Sequence, residues 1–320
     1  MNKPIVFMFP GQGSQYYQMG RELYENNPYF HQCMSQCALI IQRKLGVSLI
    51  DVLYGEENKT AVFDRLLYSN PALLAIEYSI ARTLINEGIQ PDYLLGYSLG
   101  EFAASVMSGA LTIEEGLSLV IDYAQLLEKK SPRSGMIAVI ESADFFHRNP
   151  SLFRGSWLSA KNFQNNFVVT GLDEDVNCIQ SDLSSNNVIH QRLPVNYGFH
   201  TPIIELIEAE VKGLFNQYQF SRNQIPSISC ANVGMVNSFD GEHLWRASRN
   251  IIRFDETIAM LLNGKEYTFI DVGPTGSMSM FLKYMLPPSS KSRHYETMNQ
   301  FGRDVRTYAN LIENMSAEIA

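Results

Sequence analysis

The chain has 320 residues, is 45 % hydrophobic and 18 % charged, and carries a formal net charge of −8. That is too long for one small core, ordinary for a globular protein with one large domain and an insertion or with two domains, and without the basic excess of a nucleic-acid binder. No apolar run approaches a membrane span, and MNKPIVFMFPGQG at the N-terminus lacks the length and the cleavage site of a secretory leader, so the sequence reads as cytoplasmic.

The elements alternate between apolar runs and helical periods, the signature of an α/β fold. PIVFMF (4–9) reads as a buried strand ending in a glycine turn, and 14–43 as helix broken near Asn27-Pro28. A helix over 71–87 opens on Pro71 and closes at Gly88. DYLLG (92–96) is a strand, a helix follows Ser98 to about Ser108, and Thr112 with Glu115 form a capping box for a helix over 112–129.

GMIAVIE (135–141), WLSAK (157–161), FVVTG (167–171) and VIHQRLPV (188–195) read as strands, with helix at 172–184 and irregular helix after the first strand. The βαββαβ order is that of a ferredoxin-like unit. It predicts a small subdomain at 133–195 inserted into a larger one formed by 1–132 and 196–320. Beyond it the expected elements are a helix over 202–217, a strand at SISC (227–230), a helix over 242–263, a strand at YTFIDVG (267–273), a helix at 275–285 and a last helix after 300.

GYSLGE (96–101) fits G-x-S-x-G, a serine on a sharp strand-to-helix turn, and the predicted strand and helix supply the context that motif needs. Ser98 is the candidate nucleophile, and the N–H of Leu99 at the helix start is half of an oxyanion hole. FPGQGSQ (9–15) is a second glycine turn at a strand end, whose amides near Gln12 can supply the other half. A serine needs a base. His31 and His243 fall in helical patterns, His147 and His294 in polar stretches and His190 in a strand. His200, in VNYGFHTP (195–202), sits at the junction of the two predicted units, where a cleft belongs. Cys33, Cys37, Cys178 and Cys230 lack metal-ligand spacing and read as reduced thiols.

FPGQGSQ, SNPALL (69–74), GYSLGE, SAKNFQNNFVVTG (159–171), NYGFH (196–200) and DVGPTG (271–276) together resemble the malonyl-CoA:acyl carrier protein transacylase family, including the discrete trans-acting acyltransferases and acyl hydrolases of polyketide synthases. The resemblance spans nearly the whole chain. It implies an α/β-hydrolase-like large subdomain with a ferredoxin-like small one, a Ser98–His200 dyad, and an oxyanion hole from the N–H groups of Gln12 and Leu99. The family orients its histidine by a backbone carbonyl. LWRASRNIIRF (244–254) resembles that stretch and places the carbonyl at Ala247, with Asn250 close by. This accords with the absence of a clear triad acid: Asp122 falls in a helix, and Asp144, Asp173, Asp175 and Asp182 in the insertion. No metal or organic cofactor is implied; coenzyme A or phosphopantetheine would enter as part of a substrate. The implied partner is an acyl carrier protein, met by a monomer. Arg246, Arg249 and Arg253, spaced to share one face of the predicted 242–263 helix, are a candidate docking patch.

The chain departs from the family in its acyl pocket. Malonyl-selective members carry an arginine on the helix after the nucleophile, whose guanidinium pairs with the free carboxylate. That position falls on Tyr123, and no arginine lies between Ser98 and Arg133. Tyr97 replaces the usual histidine and Asn70 the usual glutamine, whereas Phe199 keeps the malonyl-type motif. Loss of the carboxylate clamp favours an editing hydrolase that removes acyl groups from carrier proteins. A trans-acting malonyl- or acyl-CoA transacylase is the alternative, and a triad esterase or an inactive homologue are weaker ones.

Overall fold

A computed structural model describes residues 3–55 and 61–319. Among the described residues eleven strands form two sheets: β1 (Ile5–Phe9), β2 (Tyr93–Gly96), β3 (Ser134–Val139), β4 (Ser156–Phe163), β5 (Asn166–Leu172), β6 (His190–Leu193), β7 (Ser227–Ser229), β8 (Gly234–Val236), β9 (Ile252–Arg253), β10 (Thr268–Asp271) and β11 (Arg293–Glu296). The large sheet has the order β11-β10-β1-β2-β7-β8 and is parallel except for β8. β1 and β2 are apolar along their length, as strands covered by helices on both faces must be.

Parallel pairing has a direct consequence for the site. The glycine turns that follow β1, β2 and β10 all leave the sheet at its carboxyl edge. Phe9 pairs with Gly96, Gly96 with Ser229 and Met8 with Asp271, so FPGQG, GYSLG and DVGPTG are brought side by side. The crevice outside that edge is where open α/β sheets bind ligands.

The second sheet has the order β6-β3-β5-β4-β9. Its first four strands are antiparallel and come from 134–193, with helices Ala143–Arg148 and Asp173–Ser185 between them. Side chains alternate between its faces. Ile137, Val139, Phe167 and Val169 point to a small core with Phe153, Val176, Ile179 and Leu183, while Met136, Ala160 and Val168 join the main core. The fifth strand was not expected: β9 comes from outside the insertion and runs parallel to β4, with Ala160 opposite Ile252.

Other departures have local causes. The predicted 71–87 helix begins earlier, at Leu66, and Pro71 lies inside it. The Leu67 N–H is capped by the Glu128 carboxylate from a distant helix (3.0 Å), a partner no local pattern reveals. The predicted 242–263 helix is two helices, Gly241–Arg249 and Phe254–Leu261, separated by extended Asn250 and by β9. The predicted 202–217 helix opens with a 3₁₀ segment, Pro202–Ile207, before the α-helix Glu208–Phe215. The Thr112–Glu115 capping box is present, on helix Ile113–Lys130.

Candidate active site

Ser98 stands on the turn between β2 and helix Gly100–Met107 with φ of 56°, a left-handed conformation that a serine adopts only where the surroundings enforce it. Two glycines make the enforcement possible. A Cβ on Gly100 would lie 1.9 Å from the Phe9 carbonyl oxygen, and one on Gly11 would lie 2.8 Å from the Ser98 Cβ. The two glycine turns therefore nest against each other with no space for a side chain. Among the described residues, neither the Leu99 nor the Gln12 backbone N–H donates to an internal acceptor. The Gln12 turn is held from beneath, by Ser14 Oγ donating to the Gly11 carbonyl (2.8 Å) and Gly13 N–H to Gln15 Oε1 (2.7 Å).

His200 is buried, also in a left-handed conformation (φ 61°), with Nε2 2.7 Å from Ser98 Oγ. Its Nδ1 lies 2.8 Å from the Asn250 carbonyl oxygen, and its backbone N–H donates to the Ser248 carbonyl at 2.9 Å. A carbonyl can only accept, so Nδ1 carries the proton and the Nε2 lone pair faces the serine hydroxyl. Burial pushes the His200 pKa down to about 4, against the opposing pull of the Asn250 hydrogen bond and with a smaller contribution from nearby Arg249. The imidazole is neutral at pH 7, the form that accepts a proton from serine.

Of the two residues expected to orient the histidine, Ala247 and Asn250, it is Asn250 that supplies the carbonyl. Ala247 is buried inside helix Gly241–Arg249. The carbonyls free for other partners are those at the helix end, and His200 uses two of them, Ser248 and Asn250. No described carboxylate hydrogen-bonds to His200; Asp122 instead accepts from Lys44 (2.9 Å) and Tyr218 (3.0 Å), and Asp173 pairs with Arg192 (2.6 Å).

Beside Ser98 lies a cavity of about 10 Å³, room for one water-sized group, lined in part by Gln12, Asn70, Tyr123, Phe199 and Ser248. The predicted pocket residues Asn70, Tyr123 and Phe199 are therefore brought together, and among the described residues no cationic side chain lines the space. Tyr123 packs into an aromatic cluster, with ring centroids 5.8 Å from Phe102, 5.1 Å from Phe215 and 6.2 Å from Phe199. Its hydroxyl is buried without a hydrogen bond among the described residues; the neighbouring Ser248 hydroxyl donates to the Leu244 carbonyl instead (3.0 Å). Burial raises the Tyr123 pKa, so the phenol stays neutral. The Gln12 Nε2 donates to Asn70 Oδ1, which leaves Gln12 Oε1 and Asn70 Nδ2 buried and unpartnered among the described residues.

Tyr97 does not belong to this pocket. Its hydroxyl donates to Asn162 Oδ1 (2.7 Å) across the junction of the two sheets. There it lines a much larger cleft of about 1,410 Å³, bounded by the turn after β1, the second sheet and the 275–314 segment. Gln12 borders both spaces. The predicted arginine patch does not form a single face: Arg253 lies on β9, beyond the end of its helix, and donates to the Ala231 carbonyl (3.2 Å), while Arg249 pairs with Glu205 (2.6 Å). Ser248 and Phe102 were missed as pocket residues, and no motif marks either.

Residues 6–319 match the acyl transferase domain family. The chain belongs to this family. Among its relatives are the polyketide biosynthesis acyltransferase homologs PksD of Bacillus subtilis (strain 168), 34 % identical over 96 % of this chain and 95 % of PksD, and BaeD of Bacillus velezensis, 36 % identical over 98 % and 97 %. A solved malonyl-CoA:acyl carrier protein transacylase, MCAT from Streptococcus pneumoniae, superposes with a TM-score of 0.77 at 26 % identity, covering 97 % of this chain and 99 % of that one. The acyltransferase fold, an α/β-hydrolase-like body with a ferredoxin-like unit, is the one predicted. Among the described residues no helix is long and apolar enough to cross a membrane, and no group of three or more His, Cys, Asp or Glu is arranged to hold a metal ion.

Proposed function

We propose that this acyltransferase-family enzyme serves polyketide biosynthesis as an editing hydrolase, removing short, uncharged acyl groups from the phosphopantetheine thiol of an acyl carrier protein. Ser98 Oγ attacks the thioester carbonyl as its proton passes to His200 Nε2. The oxyanion is held by the N–H groups of Gln12 and Leu99. The C–S bond breaks, the thiolate takes the proton from His200, and the acyl group remains on Ser98. Water then attacks the ester with His200 as base, giving a carboxylic acid and free serine. No further cofactor enters this sequence, which a cytoplasmic monomer can complete.

The observation that carries the reading is the uncharged, nearly filled pocket at Tyr123. Desolvating a malonyl carboxylate there without a counter-charge would cost several kcal/mol, about enough to abolish loading. A methyl group fits a water-sized space; a longer chain must displace rings that are packed on one another. The alternative, a trans-acting transacylase, draws support from the names of PksD and BaeD and from Phe199.

The test is intact-protein mass spectrometry of a carrier protein. Acetyl-carrier should lose its acyl mass to give holo-carrier, and Ser98→Ala should stop this. Tyr123→Arg should gain malonyl loading from malonyl-CoA. A malonyl mass appearing on holo-carrier with the unaltered enzyme would establish the transacylase instead.

A further inference from the structure

Glu101 and His243 form a buried hydrogen-bonded contact that the chemistry at Ser98 does not use. Glu101 is in the first turn of the nucleophile helix, three residues after Ser98, and is fully buried. One carboxylate oxygen lies 2.7 Å from His243 Nε2, and the other accepts from Ser229 Oγ. His243 is also buried, edge-on to Phe239 at 5.0 Å, with Nδ1 3.5 Å from the Asn232 amide.

The location of the pair gives it meaning. His243 is on helix Gly241–Arg249, the same helix whose end supplies the Ser248 and Asn250 carbonyls that hold His200. Glu101 is on the helix whose start holds Ser98. Nucleophile and base come from segments 102 residues apart, and their 2.7 Å contact requires that the two helices keep a fixed offset. The 229–232 loop joins the same brace: Ser229 Oγ accepts from the Ala231 and Asn232 N–H groups (both 3.2 Å), and Cys230 N–H donates to the Gly96 carbonyl (3.3 Å) at the foot of the serine turn. Gly96 is pressed against Glu101 itself, where a Cβ would come within 2.7 Å of its Cα.

We propose that Glu101 and His243 are positioning residues for the Ser98–His200 pair, a side-chain brace that fixes the nucleophile helix against the helix that orients the base. The inference rests on the reading of Ser98 and His200 as the dyad, whichever acceptor receives the acyl group. A proton transfer across one hydrogen bond is sensitive to displacements well below 1 Å, so a loosened brace slows acylation without altering how the substrate binds.

Burst kinetics with p-nitrophenyl acetate separate this role from a merely structural one. The burst amplitude counts folded, competent sites; the burst rate constant reports the geometry within each. Glu101→Gln and His243→Gln are each expected to lower the rate constant about tenfold or more, with KM within about twofold and amplitude intact. The double variant should be no slower than the worse single one, because both remove the same link. Unchanged rate constants, or a loss confined to amplitude, would overturn the proposal. Should Glu101→Gln fail to fold, Ser229→Ala, which leaves the Glu101–His243 contact in place, and His243→Gln carry the test: the first is expected to slow acylation less than the second, and equal or absent effects count against the brace. Ser98→Ala run alongside must abolish the burst; if it does not, it is the dyad reading that fails.

Discussion

The two sides of Ser98 are built by different means. Toward His200 the geometry is made by main chain: a nested pair of glycine turns, two left-handed residues and two carbonyls at a helix end. Toward the acyl group it is made by side chains, an aromatic cluster enclosing a water-sized space with three unpartnered polar atoms at Gln12, Asn70 and Tyr123. Main-chain geometry is indifferent to most substitutions, whereas side-chain geometry changes with each one. Chemistry can therefore persist while specificity is rebuilt beside it.

The sharpest way to break the main-chain side is Gly100→Ala. The added carbon would sit 1.9 Å from a backbone oxygen that cannot move away, so the cost should exceed the ~1–3 kcal/mol of ordinary overpacking, and labelling of Ser98 by a fluorophosphonate should be lost. On the side-chain side, Tyr123→Ala should cost about 3–5 kcal/mol in denaturant unfolding, as large-to-small aromatic changes do, while admitting butyryl and longer chains that the unaltered pocket excludes. Retained stability with unchanged chain preference would show that Tyr123 is not the wall it is taken to be.

A smaller effect should appear in the pH profile. His200 with a pKa of about 4 stays unprotonated well below the usual histidine range, so the acidic limb of kcat/KM should fall near that value. At pH 5 this leaves the rate about 30-fold above that expected for a histidine titrating near ~6.5. The same shift works against stability. The unfolded chain takes up this proton near the ordinary value and the folded one resists until about 4, so the contribution of His200 to stability declines as pH falls through that window. The smallest effect should come from Asn250→Ala, within about threefold in kcat/KM, because the orienting group is the backbone oxygen and the side chain makes no hydrogen bond among the described residues. A loss of a hundredfold would mean that the amide side chain matters.

Legibility in the sequence followed the same division. GYSLGE, FPGQG and NYGFH announce Ser98, Gln12, Leu99 and His200 because turns of this kind demand glycine at set positions. Tyr123 was legible as an absence of charge. What escaped depended on distant partners. Pro71 read as a helix start because the Glu128 cap on Leu67 comes from 61 residues away. Tyr97 read as a pocket residue because nothing local shows that its hydroxyl reaches Asn162. Of Ala247 and Asn250, both legible as the stretch that orients His200, the sequence favours Ala247 because it reads as one continuous helix where two meet, which hides that Asn250 is the residue after a helix end. β9 is two residues inside the stretch read as one helix, and β11, Arg293–Glu296, has no apolar run to mark it as a strand.

β9 gives the molecule a property that matters to anyone exchanging parts between enzymes of this kind. The ferredoxin-like unit looks like a cassette, with an entry before β3 and an exit after β6. Yet its outermost strand, Ile252–Arg253, is encoded some sixty residues beyond that exit, two positions after the carbonyl that holds His200. A transplant cut at the visible ends carries four strands and leaves the fifth in the host, where it must pair with a foreign β4. Chimeras of this fold should therefore be designed with four crossovers, two around the cassette and two around 252–253, or the graft will tug on the base it was meant to leave untouched.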